Sequence, residues 1–148
     1  KHRGKVGCRI YEMYNQWKAE DRVRLFGEYD GYGPGEHTRD FIYVKDVVKV
    51  NFYFWDHPEI SGIFNCGTGH AHQFNTLAKG VLKHFGSGEL EYVPFPEVLK
   101  GKYQSFTQAD TANLLAAGYD GGFTPIEDAI AEYCELLDKT GGYYVYER

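Results

Sequence analysis

Several groupings in this chain have residue types and spacings that could do chemistry. Arg39 and Asp40 stand at the mouth of the apolar run Phe41-Ile42-Tyr43-Val44, and Asp46 follows it. Arginine is a planar fork that stays charged, so a rigidly held Arg39 could grip an anionic group; the plainer alternative is a solvated Arg39 paired with Asp40. Tyr14 and Lys18 form a Y-x-x-x-K, in which an ammonium one helical turn away can ease deprotonation of a phenol. Tyr14 also belongs to the apolar stripe of its helix and reads as core or interface. His70 and His72 could ligate a metal, but no third ligand stands at a fitting spacing, so they read as a solvated loop pair. Gly31, Gly33 and Gly35 form a G-x-G-x-G without the third-glycine offset, or the following helix, of a dinucleotide cradle; they read as a surface loop. No G-x-S-x-G, H-E-x-x-H or P-loop occurs. What remains is a set of polar groups at strand ends and turns: Arg39, the turn Asn65-Cys66-Gly67-Thr68-Gly69, and Tyr103 with Gln108 and Asp110. Ligands of α/β proteins bind at such places, and Arg39 points to a small anionic one.

The elements that position these groups follow from periodicity. Val6, Ile10, Met13, Tyr14 and Trp17 predict a helix over 6–20, and Val23 to Phe26 a short strand. A glycine-rich loop covers 27–37, and a buried strand is expected over 40–44. Asp46 is expected to cap a helix through Val47, Val48, Phe52 and Trp55 that closes before Pro58. A strand over 62–66 ends in a glycine turn, and a helix with Leu77, Val81, Leu82 and Phe85 stops at Gly86. Residues 90–95 alternate as a strand. Asp110 can cap a helix that stops at Gly118. Thr124, Pro125 and Glu127 spell a capping box for a last helix carrying Ile126, Ile130, Tyr133 and Leu137. Strands and helices alternate, which is an α/β or α+β arrangement.

A length of 148 residues fits one domain: a body over 1–140 and an aromatic tail over 141–148 that reads either as a frayed end or as a segment packing on a neighbouring subunit. Thirteen Tyr and ten Phe make the core or a groove aromatic. A net charge of −5 argues against a general nucleic-acid binder, which would show a basic stripe. The three cysteines lie far apart without a C-x-x-C, so neither a zinc site nor a disulfide framework is indicated, and a reducing, cytoplasmic setting is the default expectation. No signal-peptide pattern occurs, nor a run of about 18 apolar residues that could span a membrane. The chain enters a helical pattern almost at once and without an initiator Met, as a piece of something longer would.

The run Arg39-Asp40-Phe41-Ile42-Tyr43-Val44-Lys45-Asp46, followed by "GIFNCGTG" at 62–69, resembles the C-terminal half of extended short-chain dehydrogenase/reductases acting on nucleotide-diphosphate sugars. The stretch "YVPFPEVLKGKYQSFTQADTANLLAAGYD" at 92–120 is similar to the ADP-L-glycero-D-manno-heptose 6-epimerase family within them, which makes the heptose precursor of lipopolysaccharide. The resemblance covers about residues 2–138. It implies an α/β fold, namely the substrate-binding portion of such an enzyme with the Rossmann half absent and inactive alone. It implies NADP bound mainly by that absent half, a nucleotide-diphosphate sugar substrate such as ADP-heptose, and a homo-oligomeric full enzyme. In the family, the C6″ alcohol is oxidised with hydride passing to NADP and the ketone is reduced from the other face, a Tyr and a Lys supplying acid–base chemistry. Another nucleotide-sugar epimerase or dehydratase, or a non-catalytic sugar-nucleotide module, are the alternatives.

Carried over residue by residue, the resemblance implies substrate contacts at Arg39 and Tyr103, with Asp40 orienting Arg39. It implies a nucleotide-lining loop at Phe26, Gly27, Glu28 and Tyr29. Further substrate contacts fall at Lys5, where the family has Ser, and at Glu12, where it has His. Arg3 stands at the position of the family's catalytic Lys. An arginine is not deprotonated near neutral pH, so Arg3 cannot serve as a base, although it could stabilise an alkoxide; Lys1 or Lys5 could take over the proton.

Overall fold

The computed structural model describes residues 8–142. In chain order the elements are α1 (Arg9–Glu20), β1 (Arg22–Phe26), β2 (Thr38–Arg39), α2 (Val44–Asp56), β3 (His72–Gln73), α3 (Phe74–Phe85) and β4 (Glu89–Val93). A 3₁₀ turn (Glu97–Leu99), α4 (Ala112–Ala116) and α5 (Ile126–Thr140) follow. The fold is α/β. β1 and β4 pair in parallel, with Arg22 opposite Glu89 and Phe26 opposite Val93, while β2 and β3 form a two-residue antiparallel pair.

The main core lies where α1, α3 and α5 meet β1. Ile10, Met13 and Tyr14 of α1, Leu77 and Val81 of α3, and Ile130, Cys134 and Leu137 of α5 enclose Val23 and Leu25. These are the stripes that 3.6-residue periodicity selects. α3 and α5 approach closely at Gly80, where a Cβ would stand 2.9 Å from Ile130 Cδ1. Burial pushes the Cys134 thiol up to about 12, so it is a packing group and not a nucleophile. A second cluster of Val50, Leu114 and Tyr119 lies between α2 and α4, with Phe54, Phe64 and Phe123 packed on it.

Two carboxylates tie these parts together. Asp46 is fully buried and accepts from the Thr124 backbone N–H (2.8 Å) and hydroxyl (2.9 Å) and from Lys49 Nζ (2.8 Å). It thus joins α2 to the start of α5 and does not cap α2, whose capping position is held by Tyr43. The same bonds explain why Thr124 does not form the expected capping box: its hydroxyl is taken by Asp46.

Asp40 is the second tie. It accepts from Thr68 N–H (2.9 Å) and Oγ (2.6 Å), Gly69 N–H (2.8 Å) and Ala109 N–H (3.1 Å). Gly67 permits this, because a Cβ there would lie 2.8 Å from Asp40 Oδ2 and 2.4 Å from Ala109 Cβ. The expected strand over 40–44 is therefore shorter and earlier. It ends at Arg39, and residues 41–43 turn into α2. Their apolar character serves packing, as Phe41 meets Phe74 edge-to-face at 5.3 Å.

Residues 61–66 form no strand in the described structure and make no backbone–backbone hydrogen bond among the described residues. Their side chains still alternate. Phe64 and Cys66 pack on the second cluster, Phe64 stacking on Phe54 at 4.6 Å, while Ile63 is 91 % exposed. Beside them α2 shows an exposed apolar stripe of Val44, Val48, Phe52 and Trp55, the last 81 % exposed. At Val44 the stripe joins an apolar cleft of about 360 Å³ that runs past Phe41 and Ile130 to Tyr133. Asp110 receives the Ala112 N–H (3.0 Å) at the start of α4, and Gly118 adopts φ 93° after it, as expected. The aromatic tail beyond Gly142 lies outside the described residues.

Replacing Asp46 by Ala leaves the half-buried Thr124 N–H and the Lys49 ammonium without their acceptor and should cost about 3 kcal/mol, read from urea unfolding. Asp40→Asn turns an amide N–H toward backbone donors and should cost about 2 kcal/mol, with faster hydrogen exchange at Gly69 and Ala109. Burial alone would raise both carboxyls. The bonds from Thr68, Ala109 and Gly69, and those from Lys49 and Thr124, outweigh it and hold both below the usual range. A depressed folded-state value means the stabilisation is complete above the unfolded value near about 4 and is lost as pH falls through the folded values. The acid limb of unfolding should therefore shift in both variants and stay unchanged in Glu97→Gln, an exposed control.

Candidate substrate cleft

The site is a cleft of about 130 Å³ between α1, the end of β1, the loop 27–37 and Tyr103. α1 presents Arg9, Glu12 and Gln16 to it at helical spacing, and β1 presents Arg24 and Phe26 on the face opposite the buried Val23 and Leu25. Phe26 meets Phe95 edge-to-face at 5.3 Å and Tyr103 at 6.1 Å, so the walls are aromatic.

Arg39 closes one side. Its guanidinium carbon lies 5.0 Å from the centre of the Tyr103 ring and 5.9 Å from that of Phe74, both of them cleft walls. One N–H donates to the Thr38 carbonyl at 2.7 Å. No carboxylate pairs with Arg39 among the described residues, since Asp40 on the next position points the other way into its own ring of donors. The expectation that Asp40 orients Arg39 is corrected here, because successive residues of a strand face opposite sides. Four of the five guanidinium N–H groups are thus left for a ligand. Arg9 lies over the same Phe74 ring at 5.6 Å while bonded to Glu12 at 2.7 Å.

Of the residues marked from sequence, Glu12, Phe26 and Tyr103 line this cleft and Arg39 stacks on two of its walls. Gly27 does not offer itself to a ligand. Its N–H continues the β1–β4 ladder to Val93 O (2.7 Å), which a Cβ would approach to 3.1 Å. Tyr29 is a brace: its ring stacks on Phe95 at 4.1 Å and its hydroxyl accepts from Gly101 N–H at 2.6 Å. Glu28 and Tyr29 border a separate shallow cavity with Asp30 and Tyr32. Arg3 and Lys5 lie outside the described residues.

Sequence reasoning missed Arg9, Gln16, Arg24 and His37. Arg9 carried a signal, standing one turn before Glu12 on the same face. His37 carried one too, since it shares its strand face with Arg39. His37 is 2 % exposed and its Nε2 bonds the Tyr29 carbonyl at 3.2 Å. The Tyr14–Lys18 pair is real, with Nζ donating to the phenol at 3.1 Å, but Tyr14 is 1 % exposed between Trp17 and Phe85 and stays core. Among the described residues no group of three or more His, Cys, Asp or Glu could hold a metal ion. Nor do they fit a nicotinamide dinucleotide, because the loop of Gly31, Gly33 and Gly35 leads into β2 and not into a helix whose N-terminus could receive a pyrophosphate. No described helix is long and apolar enough to cross a membrane.

Comparison with known proteins gives this arrangement a context. The chain resembles the UDP-N-acetylglucosamine 4-epimerase of Methanobrevibacter ruminantium M1, solved with UDP-N-acetylmuramic acid: TM-score 0.75, 18 % identity, covering 95 % of this chain and 42 % of that one. It resembles the ADP-L-glycero-D-manno-heptose-6-epimerase of Helicobacter pylori with TM-score 0.73 and 24 % identity, over 91 % of this chain and 39 % of that one. The UDP-glucose 4-epimerase of Thermotoga maritima, solved with UDP-glucose, gives TM-score 0.69 and 25 % identity over 93 % and 41 %. This chain therefore spans about two fifths of the length of those structures. Residues 1–67 match the family described as the NAD dependent epimerase/dehydratase family, and the chain as a whole carries the fold seen in nucleotide-sugar epimerases and dehydratases.

Proposed function

We propose that residues 1–140 form the substrate-binding portion of a nucleotide-sugar epimerase and that its substrate is ADP-L-glycero-D-manno-heptose. The observation that carries this is Arg39: a cation without a carboxylate partner among the described residues, laid on the Tyr103 ring at the edge of an aromatic cleft. A guanidinium so held matches two phosphate oxygens at once, and the aromatic walls match the flat part of a nucleotide. Arg9, also over the Phe74 ring, adds a second positive group, its charge shared with Glu12. The stretch 92–120 supports the heptose substrate by its resemblance. A UDP-linked sugar is the second reading, favoured by the likeness to UDP-sugar epimerases.

In this reading the chain binds and orients, and the redox chemistry belongs elsewhere. NADP, which supplies and removes hydride when bound, falls to a part of the enzyme outside the described residues, as do the Tyr and Lys of the acid–base pair. Arg3 at the Lys position acts electrostatically and not as a base. The uncovered apolar face supports such a division. The α2 stripe, the cleft that meets it at Val44, and the unpaired residues 61–66 together form a surface for the sheet of a nucleotide-binding half. The whole enzyme is cytoplasmic and homo-oligomeric in this reading.

Arg39→Lys keeps the charge and loses the fork. It should weaken binding of ADP-heptose to the whole enzyme by about 1–3 kcal/mol in calorimetry, and an unchanged affinity would refute the reading. A parallel titration with UDP- and GDP-sugars decides the nucleotide. The chain by itself should not epimerise. Incubated with NADP and ADP-heptose and followed by NMR at C6″, it should leave the epimer ratio unchanged. It should also self-associate in sedimentation until Val48→Glu and Trp55→Glu break the stripe.

A further inference from the structure

His37 has a hydrogen-bonding capacity that the protein does not use. Its Nε2 faces the Tyr29 carbonyl at 3.2 Å, and a carbonyl only accepts, so Nε2 carries the hydrogen. Burial pushes the imidazole below its ordinary value. The Tyr29 bond opposes this, Arg39 adds to it, and Asp30 opposes it again; the net shift is downward. The ring is therefore neutral at neutral pH, and Nδ1 is a bare acceptor. No described residue donates to it. Tyr32 stacks on the ring at 5.4 Å, and Phe95 and Tyr103 flank it at 5.7 and 5.2 Å. None of these contacts supplies a hydrogen to Nδ1. The other ionisable groups of the cleft, Arg9, Glu12 and Arg24, sit on α1 and β1 and make their own ion pairs.

An acceptor that lines an aromatic cleft and has no partner among the described residues is a place for a ligand's donor. His37 lines the cleft with Phe26, Phe74 and Tyr103, and Arg39 lies over the Tyr103 ring. An anion on Arg39 thus places the rest of a nucleotide along these walls. The cleft holds about 130 Å³, the space of about four waters, which admits one flat ring system and not a whole nucleotide sugar. The aromatic walls favour a base over a sugar.

We propose that His37 reads the nucleobase: Nδ1 accepts a hydrogen bond from the exocyclic amine of adenine, so the site selects adenine over bases that carry a carbonyl there. This rests on the nucleotide-sugar reading of the cleft. Hypoxanthine has an oxygen in place of the adenine amine, and uracil has one at its corresponding edge. Either would set two acceptors against each other, and a site built to hydrogen-bond a ligand N–H rejects the analogue that lacks it.

The test is calorimetry of the 148-residue chain with ADP, IDP and UDP. ADP should bind about tenfold more tightly than IDP, the loss of one hydrogen bond with an acceptor left unpaired. His37→Phe keeps a ring and removes the acceptor, and should bring ADP and IDP within about twofold. His37→Gln keeps a donor for the Tyr29 carbonyl while its amide can rotate to suit either base; it should likewise flatten the preference, and it serves if the Phe variant does not fold. The ¹⁵N resonance of His37 Nδ1 should move on adding ADP and not on adding IDP. Equal binding of ADP and IDP, or an undiminished preference in His37→Gln, overturns the proposal. Arg39-dependent binding without base preference overturns this proposal alone, whereas absence of any nucleotide binding removes the nucleotide-sugar reading and this one with it.

Discussion

The carboxylate of Asp40 is the interaction on which the rest of the site depends. It gathers amides from the turn at 68–69 and from residue 109, segments 29 and 69 positions away. Without it the backbone after β2 would have no reason to turn away from the sheet at that point. The consequence reaches Arg39, because fixing one strand residue inward fixes its neighbour outward. Asp40 therefore neither pairs with Arg39 nor holds its side chain; it fixes the backbone beside it. Among the described residues Arg39 has no carboxylate partner, because the adjacent Asp40 is occupied by backbone amides and the Thr68 hydroxyl.

Asp46 does for the second layer what Asp40 does for the first. Its partners are one residue on its own helix and one before α5, so α2 cannot shift without loosening the start of α5. The two acids lie six residues apart, separated by the turn that changes strand into helix. That short interval anchors the small antiparallel pair, the second apolar cluster and the last helix at once. Such ties are worth more than their number because each is withdrawn from water and satisfied by several donors.

Much of this was legible in the sequence, and the rest was not for definite reasons. The stripes of α1, α3 and α5 and the stop at Gly86 follow from periodicity and glycine conformation, and they are where expected. The strand expected over 40–44 failed because an apolar run records burial and not pairing. Phe41 is apolar to meet Phe74, not to lie in a sheet. Asp46 was taken for a cap because caps are local and its real donor is 78 residues distant. Residues 61–66 keep the side-chain alternation of a strand without its hydrogen bonds, so the strand expected over 62–66 is not formed: alternation records which side chains are buried and not pairing. Glu12, Phe26 and Tyr103, reached through resemblance, line the cleft and Arg39 lies against two of its walls, whereas Gly27, Glu28 and Tyr29 stand outside its lining. His37 escaped because its one signal, the two-residue offset from Arg39, lies at the end of a glycine-rich loop where no strand was expected.

The parallel pairing of β1 with β4 bears on how the chain acquires its shape. Arg24 and Glu91, facing each other across that ladder, are 67 residues apart, and nearly half the chain lies between the two strands. Closing so long a loop has an entropic cost that no contact returns until both strands are present. The helices can form early, whereas the ladder must wait. During synthesis β1 emerges with its edge open and stays so until residue 89 has left the ribosome. Throughout that interval β1 is exposed to wrong pairings, which the charges of Arg22 and Arg24 along it disfavour.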